Sequence, residues 1–422
     1  MKRIVTLAAF FVVASCCLRA PAVAAGPALQ QGDHVAVIGD SITEQRLYSM
    51  YIEDYLLMCQ PAAGLRVTQF GWGGETAPGF AGRMANDALR FQPSVATTCF
   101  GMNDGGYSPM DPAKAQRYRD GQISIVKQLK QAGVRFIVVG SPSCVDADTF
   151  GGHSPERAAM YNKTLAALSD ISRDVARKQG VVFADVFDPM VTAMTKAKAK
   201  YGREYHLAGG DGVHPDRNGH LVMAYAFLKA LGCDGNIGTI TVDLQGDKAE
   251  ATEGHKILSS ARGRVEVESS KYPFCFYGDP AQPGSTRGVL EFIPFNAELN
   301  RLTLVVRGAG SEKVRVTWGA ASREFPAAAL AKGVNLAAEF LDNPFSDAFH
   351  KVEDKIAEQQ GFEVGLVKSL LHNIPEFERA APEEHAALER IAAGILQRDK
   401  VAREASAAAV KPLRHAIKIE AL

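Results

Sequence analysis

The stretch Val35-Ala-Val-Ile-Gly-Asp-Ser-Ile-Thr43 decides how the chain is read. Its first four residues are small or branched and apolar, which suits a strand covered on both faces, as in parallel sheets. Gly39 and Asp40 then turn the chain, and a polar-to-amphipathic run over 45–60 reads as a helix. Ser41 therefore stands at the carboxyl end of a strand, the edge where open α/β sheets place their sites. Its N–H belongs to the unpaired donors of a helix start, which favour negative charge. That suits a nucleophile whose attack creates an oxyanion. The plainer reading makes Ser41 only an N-cap, a frequent role for serine.

Outward from this stretch, strand-like and helix-like runs alternate from about 33 to 232. Apolar runs fit strands at 66–70, 94–100, 134–139 and 181–184, and helical patterns cover 47–60, 78–89, 112–131 and 155–179. A last helix is expected from Pro215 to Leu231, since proline is tolerated in a first helical turn. This alternation predicts a three-layer α/β/α domain with a parallel sheet and right-handed crossovers. Beyond 235 the texture changes. Runs such as Ile240-Thr-Val-Asp-Leu244 and Val314-Arg-Val-Thr-Trp318 alternate or are rich in branched residues, so 236–345 reads as a β-rich, sandwich-like module. Residues 346–422 read as a helical hairpin with a terminal strand at Ala416-Ile-Lys-Ile-Glu420. Leu366, Leu370 and Ile374 fall on one helical face, as do Leu388, Ile391 and Ile395. The break falls between Asn373 and Pro382.

Composition narrows the class. The chain has 422 residues, which favours more than one core. Lys plus Arg and Asp plus Glu are 47 each, so the formal charge is zero. No basic patch is interleaved with aromatics, and no nucleic-acid partner is expected. Lys2 and Arg3, the apolar run 4–18 and Ala22-Val-Ala-Ala25 form a signal peptide over 1–25, so export to the periplasm or medium is expected. Val13-Ala-Ser-Cys16 offers a second processing route, with Cys16 lipidated, and only that route would bring a membrane attachment. Of the seven cysteines, none has CxxC spacing, so no zinc or redox motif is read. Cys99 and Cys144 lie in or just after apolar runs and read as small core residues.

Three loops could converge on Ser41. Gly71-Trp-Gly-Gly-Glu-Thr76 follows the second strand and suits a tight loop with N–H groups facing a ligand. Gly101-Met-Asn-Asp104 follows the third strand, where Asn103 could donate into the same crevice, although Asn and Asp are also common turn formers. Asp211-Gly-Val-His-Pro215 precedes the last helix. Three residues apart, Asp211 and His214 can lie over one another in one turn, a carboxylate holding the second nitrogen of an imidazole base. Otherwise Asp211 merely caps a helix.

In order and placement, Gly39-Asp-Ser-Ile-Thr43, Gly74-Glu-Thr76, Gly101-Met-Asn103 and Asp211-Gly-Val-His214 resemble the four blocks of SGNH (GDSL-type) hydrolases. The resemblance covers about 33–232, roughly half the chain. The GxSxG elbow of the larger α/β-hydrolases does not surround Ser41. The resemblance implies a flavodoxin-like fold and an acyl-transfer mechanism needing no metal or other cofactor. Ser41 would be the nucleophile, His214 the base and Asp211 its orienting partner. The oxyanion hole would use the N–H groups of Ser41 and Gly74 and the amide of Asn103, with Gly73 as the neighbouring alternative. Each such donor is worth roughly 3 kcal/mol in the transition state. Asp40 would stabilise the turn.

Function then follows as an expectation: an exported serine esterase acting on carboxylic esters, with acetylated carbohydrate as the expected substrate. Trp72 and Tyr107 would stack on a sugar ring, and Arg83 would line the crevice or simply pack. Lipid and lysophospholipid esters are the alternative, although no aromatic-rich interfacial helix is evident. A non-catalytic carbohydrate-binding protein is a third reading, with Lys271-Tyr-Pro-Phe-Cys-Phe-Tyr277 as its patch. Those aromatics are more simply core.

Overall fold

The structure is a computed structural model that describes residues 29–422. The signal segment 1–25 and Cys16 lie outside the described residues. Strands β1 (His34–Gly39), β2 (Arg66–Gly71), β3 (Val95–Cys99), β4 (Phe136–Gly140) and β5 (Val182–Ala184) form a five-stranded sheet in the order β2-β1-β3-β4-β5. Every pairing in it is parallel. This is the flavodoxin-like order, which reverses at β1/β3 and opens a crevice there. Val35, Ala36, Val37 and Ile38 have no exposed surface. Burying each Val or Ile side chain contributes about 1.5–3 kcal/mol.

The helices of this region are α1 (Ser41–Glu44), α2 (Tyr48–Asp54), α3 (Ala77–Asp87), α4 (Pro112–Gln131), α5 (Phe150–His153), α6 (Pro155–Gln179), α7 (Phe187–Tyr201) and α8 (Arg217–Ala230). One helical layer contains α3, α4 and α6; the other contains α2 and α8. Helices α4 and α6 begin where the residue pattern puts them. Each has proline in its first turn behind a capping side chain, Asp111 on Lys114 N and Ser154 on Arg157 N. The expected 47–60 helix is α2 followed by a π-helical turn, Tyr55–Cys59, which ends at Gln60 with a left-handed φ. The last helix starts at Arg217 behind Asp216, so Pro215 lies outside it. Helix α7 was not anticipated; no side chain caps its start.

Two further sheets follow. Strands β6 (Asn236–Asp243), β7 (Lys248–Ala251), β10 (Arg301–Arg307) and β13 (Val334–Asn335) form one, in the order β13-β10-β6-β7. Strands β8 (His255–Ala261), β9 (Arg264–Ser269), β11 (Lys313–Trp318), β12 (Ala321–Pro326) and β14 (Leu413–Ala421) form the other, in the order β12-β11-β14-β9-β8. The C-terminal strand thus occupies the centre of its sheet, paired to β9 and β11. Buried His255 links the two sheets, bonding Ile237 O at 3.0 Å and Ser269 Oγ at 2.8 Å. Tyr272, Phe274 and Phe276 are buried, and Phe274 packs on Phe295 and Phe349, so the aromatic run fills a core.

Long helices Ser346–Ser369 and His385–Ala409 pack on each other, and the first also packs on α2 and β2. Its buried face mixes apolar residues such as Phe349, Val352 and Ile356 with a polar set. Gln359 and Gln360 donate to the two oxygens of Glu53 at 2.9 and 2.7 Å, and Glu363 accepts from Gln69 N at 3.0 Å. Gln360 and Glu363 are fully buried. Leu366, Ile374 and Ile395 are buried as expected, whereas Leu370 and Ile391 are exposed because the hairpin docks through this polar set as well. Among the described residues, no helix is long and apolar enough to cross a membrane. Cys59, Cys99, Cys144, Cys233 and Cys275 are all buried free thiols.

Candidate active site

At the β1 exit, Asp40 rather than Ser41 caps α1: its Oδ1 accepts the Ile42 N–H at 3.0 Å. That assignment frees the serine hydroxyl. Ser41 Oγ lies 2.8 Å from His214 Nε2, and His214 Nδ1 lies 2.7 Å from Asp211 Oδ2. Asp211 does not cap α8, whose N-cap is Asp216. Its Oδ1 instead accepts the N–H groups of Val213 and His214, both at 2.9 Å. Burial pushes the Asp211 carboxyl up, but these bonds and the imidazole outweigh it and hold it below the usual carboxylate range. An ionised Asp211 keeps the proton of His214 on Nδ1, leaving Nε2 to accept from a hydroxyl.

Behind this chain, His220 clamps α8 to the α1–α2 segment. Its Nδ1 accepts the Tyr48 N–H at 3.2 Å and its Nε2 donates to Gln45 Oε1 at 3.0 Å. Burial lowers the His220 pKa to about 3, so this imidazole is neutral and serves structure. Burial likewise raises the Asp40 carboxyl to about 7, with Asp104 and Glu75 adding to the rise.

The glycine loop closes as a turn. Glu75 N donates to Trp72 O at 3.2 Å, closing a turn, and Gly74 has φ +74°. A type II turn requires that left-handed value at its third residue, and glycine supplies it without strain. Within this turn the Gly73 N–H is taken by Glu44 Oε2, whereas the Gly74 N–H meets no acceptor among the described residues. The Ser41 N–H, first in α1, is unpaired by position. Asn103 donates one amide hydrogen to Glu75 O at 3.0 Å and accepts the Tyr107 hydroxyl at 3.4 Å. An asparagine amide carries two hydrogens, so one remains. Ser41, Gly74 and Asn103 thus each keep a donor hydrogen, the kind of group from which an oxyanion hole is built.

Trp72 is not a free stacking platform. The Arg83 guanidinium sits 4.5 Å from its ring centroid, the Lys368 ammonium 4.8 Å, and the His372 ring 4.6 Å. Arg83 pairs with Glu75 at 2.6 Å and Asp87 at 2.9 Å, so it packs and anchors. Tyr107 is exposed, stacked on Tyr161 with centroids 5.0 Å apart, and stands next to Asn103. Glu44, Lys368 and His372 were missed from sequence. Ser41-Ile-Thr-Glu44 resembles a capping box, which hid the reach of Glu44 across to Gly73. Among the described residues, Glu378, His385 and Glu389 bring three potential metal ligands within 4.8 Å of one another. They lie on the hairpin, and Arg90 already pairs with Glu389 at 2.9 Å.

Comparison with known proteins adds three findings. Residues 37–222 match the model of the GDSL-like Lipase/Acylhydrolase family. An acetylxylan esterase of Geobacillus stearothermophilus is 22% identical over 225 residues, 48% of this chain and 94% of that protein. A solved gut microbial diltiazem-metabolizing enzyme superposes with TM-score 0.72 at 24% identity, covering 95% of this chain and 100% of that one. The last likeness extends the shared fold through both β-sheets and the hairpin.

Proposed function

Taking as premise that residues 37–222 are a serine ester hydrolase domain of the SGNH/GDSL family, we propose that Ser41 carries the acyl group and that the protein is an exported deacetylase of carbohydrate esters. The carrying observation is the unbroken hydrogen-bonded chain from Ser41 Oγ through His214 to Asp211. In acylation, His214 Nε2 takes the Ser41 proton as Oγ attacks the ester carbonyl. The oxyanion receives the N–H groups of Ser41 and Gly74 and the amide of Asn103. Collapse expels the alcohol, which takes the proton back from His214. A water activated by the same imidazole then releases the acid. Asp211 stays ionised and supports the imidazolium.

Two observations support the substrate class. The curated relative is named an acetylxylan esterase, and Tyr107 offers an exposed ring beside Asn103. With Trp72 half-buried among Arg83, Lys368 and His372, the exposed Tyr107 is the aromatic for stacking on a sugar. Export is supported by the charged, apolar and small-residue order of 1–25. The test is release of acetate from acetylated xylo-oligosaccharides, set against long-chain p-nitrophenyl esters and lysophospholipids, with Ser41→Ala as control. Faster turnover of acetylated glycan, lost in Ser41→Ala, is expected. Preference for long acyl chains would transfer the assignment to lipid esters. The N-terminal residue of the protein recovered from its native host tests export.

A further inference from the structure

The hairpin reaches the glycine loop from more than 290 positions away in sequence and touches it twice. Lys368, in the last turn of the Ser346–Ser369 helix, donates to Glu44 Oε1 at 2.6 Å. The other oxygen of that carboxylate holds the Gly73 N–H. Lys368 and Glu44 are about three-quarters buried, at 29% and 26% exposure, so the pair is partly shielded from screening salt. Four residues further on, His372 lies against Trp72 and bonds Asp87 Oδ2 at 2.8 Å, the carboxylate that also anchors Arg83. Trp72, Gly73 and Glu75 are thus each held, and the Gly74 N–H has no acceptor among the described residues.

Gly73 and Gly74 carry adjacent N–H groups in this turn, and the two are the candidate donors for the oxyanion. A carboxylate on Gly73 fixes the choice, and a lysine on the far oxygen fixes the carboxylate. We propose that Glu44 and Lys368 are positioning residues for the hydrolase: the hairpin, through Lys368, holds Glu44 on the Gly73 N–H and so reserves the Gly74 N–H for the oxyanion. This inference rests on the serine esterase reading above. It gives the C-terminal half a part in catalysis without placing any of its atoms on the substrate.

The experiment uses the full chain and p-nitrophenyl acetate, with active sites counted by stoichiometric fluorophosphonate labelling. Lys368→Met is expected to lower kcat per labelled site by about 10-fold, less than loss of a whole oxyanion donor, with KM within about twofold. Lys368→Arg, which keeps the charge, restores most of it. Glu44→Gln is expected to lower kcat similarly, and the double variant to fall no further than the worse single, since both act on one donor. A purely packing role would reduce the labelled fraction or the melting temperature and leave kcat per site intact. That outcome, or losses that multiply in the double variant, overturns the proposal. Equal turnover by the unaltered protein and Ser41→Ala would instead remove the esterase reading itself.

Discussion

Two regions of this molecule gather charge, and they treat it in opposite ways. At the β1/β3 switch point, Asp211 and His214 remain partly exposed, at 55% and 34%, and every polar side-chain atom of the chain Ser41–His214–Asp211 is matched to a partner. Where the hairpin docks on α2 and β2, Glu53, Asp54, Glu363 and Asp399 are buried almost completely. Burial pushes the carboxyl of Glu53 up to about 7 and raises those of Asp54, Glu363 and Asp399. Both oxygens of Asp54 lack a partner. The first region keeps a carboxylate ionised because its task is to orient and support an imidazolium. In the second, burial favours the protonated carboxyl, because an unpaired buried charge costs far more than an unpaired buried acid, and Asp399 is offset by buried Arg403 at 2.7 Å. Charge stands partly exposed where chemistry uses it and is disfavoured or paired off where only docking does.

The comparison breaks first at the imidazole. His214→Ala is expected to lower kcat by roughly 10⁴-fold or more while leaving the melting temperature near its starting value, read by steady-state turnover and thermal denaturation. A modest loss would mean that the half-exposed chain is not the reacting one. Next comes Asn103→Ala, expected to cost about 10²- to 10³-fold in kcat with little change in KM. A loss confined to KM would make Asn103 a substrate contact rather than an oxyanion donor.

On the docking side the expected effects appear in stability. Glu53→Gln replaces one acceptor of the two glutamine amides by a donor, and should destabilise the fold by about 1–3 kcal/mol at pH 5. The pH dependence has a definite sign. Between about pH 4.5 and 7 the unfolded chain has released the Glu53 proton and the folded chain still holds it. The unfolded state then binds fewer protons, so stability falls as pH rises through that window. Urea unfolding at pH 5 and pH 7.5 should show this fall, and Glu53→Gln should reduce it. A stability that rises across the same window would show that these carboxyls are ionised in the fold. Smallest of all, Leu370→Ser should change stability by less than about 0.5 kcal/mol, since that side chain is exposed.

What could be read from residues alone divides along the same line. Strand β1, the start of α4 behind Asp111 and that of α6 behind Ser154 were legible because apolar runs and proline caps are local signals. So was the meeting of Ser41, His214 and Asp211, each within a few residues of a strand or helix end, which hydrogen bonds join in the fold. The docking face was not. Gln359, Gln360 and Glu363 look like a solvated helix surface, and only contact with Glu53 and Gln69 makes them interior. Polar edge strands β7, β8 and β12 escaped for a related reason, since their alternation is weak. Trp72 was legible as important but not as half-buried, because the groups that surround it include Lys368 and His372 from the far end of the chain.

The central claim is that Ser41 is a hydroxyl made nucleophilic by His214. Mass spectrometry of the protein after exposure to a fluorophosphonate tests it most directly. One adduct per chain is expected, mapped to the peptide containing Ser41, absent in Ser41→Ala and strongly slowed in His214→Ala. No adduct on the folded protein, or an adduct that persists in Ser41→Ala, would contradict the account.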